Sequence, residues 1–243
     1  MTADRPTLVR LEKVSFAYPG GNPVIDGLDL ELREGDRVGL IAPNGSGKTT
    51  LLHLLVGLIR PSAGRVEIFG RPVHTEKDFM DVRRRVGMLF QDSDDQLFSP
   101  TVLEDVAFGP LNLGLRREDA LAVSRRTLAF LGLGEFEDRI TFKLSGGEKR
   151  LVALATVLAM EPAVLLLDEP TAGLDERTKH RLVDILGQLD LSYIVISHEY
   201  DFLTATANPI YTMENGRILI DEALHVHQHR HAHRVGRVPH RHV

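Results

Sequence analysis

The sequence contains no cysteine, which excludes disulfides and thiolate metal sites and fits a reducing compartment. No window approaches the roughly 20 apolar residues that would span a bilayer. The apolar stretches Leu51 to Ile59 and Leu151 to Met160 are short and punctuated. The opening MTADRPTLVR lacks the apolar core of a secretory signal. There is no internal repeat and no long Pro/Ser-rich linker. Nor is there a positive excess: 29 Lys+Arg face 34 Asp+Glu, a formal net charge of −5, so the chain has no basic nucleic-acid footprint. These absences lead us to expect a soluble cytoplasmic protein with no bilayer span of its own.

What is present fills 243 residues, enough for one large domain with a sizeable core. Hydrophobic residues at 43% and charged residues at 26% argue against wholesale disorder. Charge is uneven along the chain. Residues 224–243 hold four arginines, seven of the eleven histidines and no acid, leaving 25 Lys+Arg against 34 Asp+Glu elsewhere. We therefore expect an acidic globular body over residues 1–222 and a cationic His/Arg-rich tail over 223–243.

Periodicity organises the body. Strands are expected at Leu8 to Tyr18 and Val24 to Leu32; in the second, Leu28, Leu30 and Leu32 alternate with Asp29 and Glu31. A compact apolar strand follows at Arg37 to Ala42. Lys48 to Ile59 reads as helix, with Leu51, Leu54, Leu55 and Leu58 on one face. Further short strands are expected at Arg65–Phe69, Val86–Phe90, Ala163–Leu167, Tyr193–Ile196 and Ile210–Met213. Helical patterns cover Arg117–Leu131, Gly146–Met160 and Asp175–Leu189, and the stretch from about 92 to 144 shows no strand. The fold class is α/β: a mainly parallel sheet with helices on both faces, an N-terminal antiparallel β portion and an inserted helical subdomain.

Residues 42–49 read Ala42-Pro43-Asn44-Gly45-Ser46-Gly47-Lys48-Thr49, between the apolar strand and the periodic helix. This is a P-loop in its proper context. Glycines let backbone N–H groups curl around an anion, and the helix N-terminus adds a favourable dipole. Lys48 is expected on the β- and γ-phosphates of ATP, and Thr49 offers a hydroxyl to Mg²⁺, with Thr50 beside it. Ala42 stands where the strict pattern has glycine, which is tolerable if the backbone there has no positive φ. Two more motifs follow. Leu144-Ser145-Gly146-Gly147-Glu148 opens a helix, a second N-terminus suited to an anion, where Glu148 could equally be a first-turn acid satisfying the dipole. The strand Val164 to Leu167 ends in Asp168 and Glu169, the first suited to Mg²⁺ and the second to polarising an attacking water.

In this order the motifs resemble those of the ATP-binding subunits of ABC transporters, over about residues 8 to 222. The resemblance implies a set of roles. Tyr18 stands where that family stacks an aromatic ring on adenine, and Gln91 where it has the Q-loop glutamine, a contact to Mg²⁺ and water that also links the site to the membrane partner. Ser145 to Glu148 match the signature motif, Asp175 the D-loop and His198 the switch histidine. It further implies a head-to-tail homodimer, each ATP lying between one chain's P-loop and its partner's signature helix. Glu169 would then be the general base, with His198 holding the γ-phosphate and the water.

Residues 91–115, from Gln91-Asp92-Ser93-Asp94-Asp95-Gln96 through Phe108-Gly109-Pro110, resemble the energy-coupling factor branch. That implies a transmembrane coupling subunit, a substrate-binding membrane subunit and a place on the cytoplasmic face of the membrane. It also implies that charge reversal near Asp94 and Asp95 weakens complex assembly. In the tail, His225, His227, His229, His231 and His233 alternate, as a set of imidazoles suited to a transition metal would. Arg230 and Arg234 oppose cation binding there, so a pH-responsive cationic tail is the other reading. The metal reading favours cobalt or nickel as cargo; a vitamin is the alternative. A coiled-coil ATPase of DNA maintenance is disfavoured, because under a hundred residues without heptads separate Thr50 from Leu144.

Overall fold

A computed structural model describes residues 5–43 and 45–219. The tail histidines, the boundary at 222/223 and Asn44 lie outside the described residues. The first sheet is antiparallel: β1 (Thr7–Ala17) pairs with β2 (Pro23–Arg33) and with β4 (Ala63–Ile68), and β4 pairs with the short β5 (Arg71–Pro72). Its register sets Leu11 opposite Leu30 and Val14 opposite Leu28, so one face is apolar.

The second sheet contains β3 (Arg37–Ile41), β6 (Val86–Leu89), β7 (Val164–Asp168), β8 (Ser192–Ser197), β9 (Ile210–Glu214) and β10 (Arg217–Leu219). Their order is β10-β9-β3-β8-β7-β6, parallel throughout except for the β9–β10 hairpin. A parallel sheet needs cover on both faces, and the alternation of its strands supplies two cores. Val164 and Leu166 of β7 face the core shared with the antiparallel sheet, while Leu165 and Leu167 face the opposite one. In β8, Ile194 and Ile196 join the first core and Tyr193 and Val195 the second.

Helix α1 (Lys48–Val56) lies in the first core, with Leu51, Leu52, Leu54 and Leu55 all at most 1% exposed. Each of those leucines contributes about 1.5–3 kcal/mol by burial. The leucine periodicity extends to Leu58, but the helix stops at Gly57, whose φ of 70° marks a left-handed C-cap. A Cβ on Gly57 would lie 2.2 Å from the Phe79 ring, so no other residue fits there without movement. The opposite core is covered by α5 (Gly146–Leu158), α6 (Glu176–Gln188) and α7 (Tyr200–Thr206).

The expected helical insertion is present as α3 (Val102–Asn112) and α4 (Arg117–Phe130). Between residues 92 and 144 the described chain has no strand, only an isolated bridge from Thr101 to Ile140. Sequence periodicity gave α3 no range of its own within the helical stretch, and it overlooked α7 and α2 (Glu76–Arg83), the two shortest α-helices among the described residues. Two of these nevertheless carry a legible start. Thr101 with Glu104, and Thr75 with Asp78, form reciprocal capping boxes.

Candidate active site

The polypeptide leaves β3 at Ile41 and enters α1 at Lys48 through the glycine-rich loop. Ala42 is 1% exposed and does not have positive φ, which meets the condition the sequence set for it. Gly45 and Gly47 have φ of 80° and 98°. A Cβ on Gly47 would lie 2.8 Å from the Val24 carbonyl oxygen, so this residue is glycine for both conformation and space. Gly47 caps α1 with no side-chain acceptor, and there is no acid in the helix's first turn. The orphan N–H groups of that turn are thus left for an external anion.

Lys48 is buried, and its Nζ donates to the Ala42 carbonyl at 3.2 Å and to Glu169 Oε1 at 2.7 Å. The other carboxylate oxygen of Glu169 meets His198 Nδ1 at 2.9 Å and accepts the His198 backbone N–H at 3.3 Å. Glu169 is itself held in a left-handed backbone conformation, φ 44°, with its N–H donating to the Ile196 carbonyl. Such strain in a non-glycine residue marks a position fixed by its surroundings. Thr49 Oγ1 donates to Asp168 Oδ2 at 2.9 Å, while Asp168 Oδ1 is buried with no hydrogen-bond partner. Burial pushes the Asp168 carboxyl above its ordinary range, the Thr49 hydroxyl bond opposes this, and the Glu169 charge adds to the rise.

A cleft of about 640 Å³ opens beside these groups, lined by Thr49, Gln91, Arg150, Asp168, Gly146 and Gly173 among others. The structure therefore brings Lys48, Thr49, Asp168, Glu169 and His198 together by direct bonds, and places Gln91 and Gly146 on the same cleft. Tyr18 is half-exposed just past β1, its hydroxyl 3.3 Å from Thr50 Oγ1 and its ring edge-on to Phe16.

The remaining candidates have other partners. Ser145 caps α5: it and Glu148 form a capping box, with Ser145 Oγ 2.8 Å from Glu148 Oε2, and Arg139 pairs with the other Glu148 oxygen. The Ser145 backbone N–H, then its hydroxyl, hold the Glu148 carboxyl below its usual range. Its carboxylate is committed to the cap, the dipole role that the sequence left open. Asp175 likewise caps α6 by accepting from the Thr178 N–H at 2.8 Å. Gly147 packs against Thr178, so the starts of α5 and α6 lie together. Asp94 is tied back to α5 by Lys149 at 2.6 Å.

Residues 25–172 match the family model described as ABC transporter. The chain belongs to the ABC transporter family. It is an ATPase of that family, as the motif order implied. It is 50% identical over 237 residues to a putative ABC transporter ATP-binding protein of Nitratidesulfovibrio vulgaris, covering 97% of this chain and 86% of that one. It is 44% identical to the cobalt import ATP-binding protein CbiO of Rhodobacter capsulatus, covering 89% and 79%. With the energy-coupling factor transporter ATP-binding protein EcfA of Methanocaldococcus jannaschii it shares 41% identity, covering 87% and 77%. Among solved structures it is similar to CbiO1 from Clostridium perfringens, part of a CbiONQ complex, with TM-score 0.81, 32% identity and 88% of each chain covered. A dimeric ATP-binding cassette in a post-hydrolysis state with ADP and Pi is similar at TM-score 0.80 and 25% identity, covering 87% and 96%.

The sequence assigned no individual role to three polar residues of this ABC ATPase. Arg150 is 4% exposed, and its guanidinium donates to the Phe90 carbonyl at 2.6 Å and to the Gln91 carbonyl. Gln96 accepts from the Phe90 N–H at 3.3 Å and donates to the Ala153 carbonyl and Thr156 hydroxyl. Asp105 is 2% exposed; Oδ1 accepts from the Phe98 and Ser99 N–H groups, while Oδ2 is buried without a partner. One signal was available: Arg150 occupies the buried stripe of α5 at i, i+4, i+8 with Leu154 and Leu158.

Proposed function

We propose that this ABC ATPase energises import of a transition-metal ion, cobalt or nickel, through a membrane complex of the energy-coupling factor type. The observation that carries the ATPase part is the continuous chain Lys48–Glu169–His198 beside the Thr49–Asp168 pair. Mg²⁺ fits this place. Asp168 offers a buried oxygen without a partner, Thr49 a hydroxyl and Gln91 a neutral side chain on the cleft. These are hard oxygen donors, too few for an all-protein cage, as suits a Mg²⁺ shared with substrate phosphates. Thr49, Asp168 and Gln91 would hold the ion, which when bound neutralises charge developing on the phosphates.

The chain's own groups do the rest. Lys48 exchanges its ion pair with Glu169 for the β- and γ-phosphates, because the polyphosphate is the stronger anion. Glu169 Oε1 is thereby freed to accept a proton from the attacking water as its oxygen bonds to the γ-phosphorus and the bond to ADP breaks. His198 steadies the Glu169 carboxylate and faces the same phosphate. Tyr18 supplies a ring for adenine, and the Ala42–Thr50 loop, Pro43, Asn44 and Ser46 included, wraps the phosphates. A second copy of the chain closes the site with Ser145, Gly146 and Gly147, and with Asp175 beside them. The dimeric ADP- and Pi-bound cassette supports that arrangement.

A membrane partner has its own support. A groove of about 270 Å³ is lined by Leu58, Met88, Phe98, Phe108, Val157 and Met160, with Phe98 66% and Leu58 56% exposed. Asp105 lines it as well. An amphipathic helix carrying one hydrogen-bond donor among apolar side chains satisfies both features. This moves the emphasis from Asp94 and Asp95 to the aromatic groove. No helix among the described residues is long and apolar enough to cross a membrane, so a membrane subunit is needed for transport.

Cobalt rests on the CbiO relative and on the histidine tail; the EcfA relative, whose name specifies no cargo, keeps a vitamin as the second reading. The test is uptake of labelled Co²⁺ and Ni²⁺ by cells carrying wild-type protein or Glu169→Gln at matched expression. Loss of one ion's uptake names the cargo, and unchanged uptake of both discards metal import. Purified Glu169→Gln is expected to lose about 10²–10⁴ of turnover and to accumulate as an ATP-dependent dimer on gel filtration. A persistent monomer discards the two-chain site.

A further inference from the structure

We infer that Arg150 is a positioning residue for the ATPase reaction: its guanidinium fixes the end of β6 against the signature helix α5, so that the Gln91 wall of the cleft and Gly146 keep one alignment. The inference rests on the two-chain ATP site proposed above. Its first support is where Arg150 sits. It lies one turn below Gly146 on α5, and both line the ATP cleft. Its two-pronged guanidinium spans consecutive carbonyls, those of Phe90 and Gln91. Phe90 lines both the cleft and the groove, so the bonded segment is the wall between them.

The second support is Gln96, which lines the groove and fastens the same segment to α5 from that side. Its carbonyl holds the Phe90 N–H and its amide reaches Ala153 and Thr156. Lys149–Asp94 adds an ion pair on the cleft side. Residues 90–96 are thus bolted to α5 over about two turns, from residue 149 to residue 156.

The third support is the nature of the bolt. Among the described residues no carboxylate lies within ion-pair distance of Arg150. Its side chain is buried, and its hydrogen-bond partners there are carbonyl oxygens. A buried cation satisfied by carbonyls alone is costly to release, because letting go leaves the charge unpaired. Residues 90 and 91 therefore cannot be drawn toward the groove without α5 following. Movement of α5 displaces Gly146, and with it the surface offered to the partner's ATP. Lysine would not replace this residue fully: it presents a point charge where arginine presents a fork.

The test uses the full-length protein with Arg150→Met, Arg150→Lys, Gln96→Met and the Arg150→Met/Gln96→Met pair, reading turnover and the affinity for a fluorescent ATP analogue separately. For Arg150→Met we expect affinity within about twofold of wild type and kcat down about tenfold, since the P-loop contacts are untouched and only alignment is lost. Arg150→Lys should recover part of that loss. Gln96→Met, far from the nucleotide, should lower kcat in the same direction, and the double variant should be no worse than Arg150→Met alone, as for two parts of one bolt. If Arg150→Met unfolds, the Lys and Gln96 variants still decide the matter. Unchanged kcat in the folded variants overturns the inference. So does a proportional fall of affinity, kcat and melting temperature, which marks a purely structural arginine. Failure of Glu169→Gln to dimerise, with the split between kcat and affinity intact, would instead discard the two-chain site.

Discussion

Helices α1 and α5 both begin at glycine-rich sequence, and both N-termini carry motif residues, yet they are finished in opposite ways. The first turn of α1 has a glycine cap, no side-chain acceptor and no acid, and its lysine is buried against Glu169. The first turn of α5 is closed by its own Ser145–Glu148 box and reinforced by Arg139. One end is left with donors for a tightly enclosed polyanion. The other is complete in the isolated chain and presents Gly146 and Gly147, a surface without side chains, to whatever approaches from outside. In the proposed two-chain site, this difference separates an end that a chain equips for its own nucleotide from one that it offers to a second copy.

The comparison is broken most severely at Gly47. Gly47→Ala places a methyl against the Val24 carbonyl at φ 98°. It should cost about 1–2 kcal/mol of stability. ATP affinity should fall about tenfold or more, because the loop must open to accommodate the methyl. Calorimetry and nucleotide titration check both, and wild-type affinity would mean that the uncapped turn is not where phosphate binds.

A smaller and more selective effect is expected from removing the box on α5. Thr101→Ala removes a box of the same design from α3, so it serves as the control. Each should lower stability by about 1 kcal/mol. Only Ser145→Ala should also slow turnover; equal turnover in both would reduce Ser145 to a cap.

The smallest effect concerns the third box, on α2, where the Thr75 and His74 backbone N–H groups hold the Asp78 carboxyl down at about 2 from an ordinary 3.8. A depressed acid contributes its stability fully above its unfolded value and loses it as pH falls through the folded one. Asp78 should therefore titrate near 2 by carboxyl NMR, and its contribution should fade between about pH 4 and 2. A midpoint near 3.8 would show that the box does not form in solution, and would weaken the same reading of Glu148.

The sequence by itself determined the order of chemistry along the chain. Lys48, Thr49, Asp168, Glu169 and His198 each stand at the end of an apolar strand or the start of a helix, and parallel strands gather such ends at one edge. Ala42 was readable as harmless for the same local reason. The strands were legible because two-sided burial demands runs of apolar residues, as in Val164 to Leu167. Short helices were not legible, because α2 and α7 are only eight and seven residues long and show little periodicity. Only the tertiary structure shows which polar residues are tied into the fold of the single chain. In the single chain Glu148 and Asp175 are held as helix caps, while Arg150, Gln96 and Asp105, to which the sequence assigned no individual role, join α5, β6 and the groove. Most of their partners are backbone groups, which leave no residue-type signature, and those of Arg150 and of the Gln96 amide lie on a different element, so packing alone brings them into register.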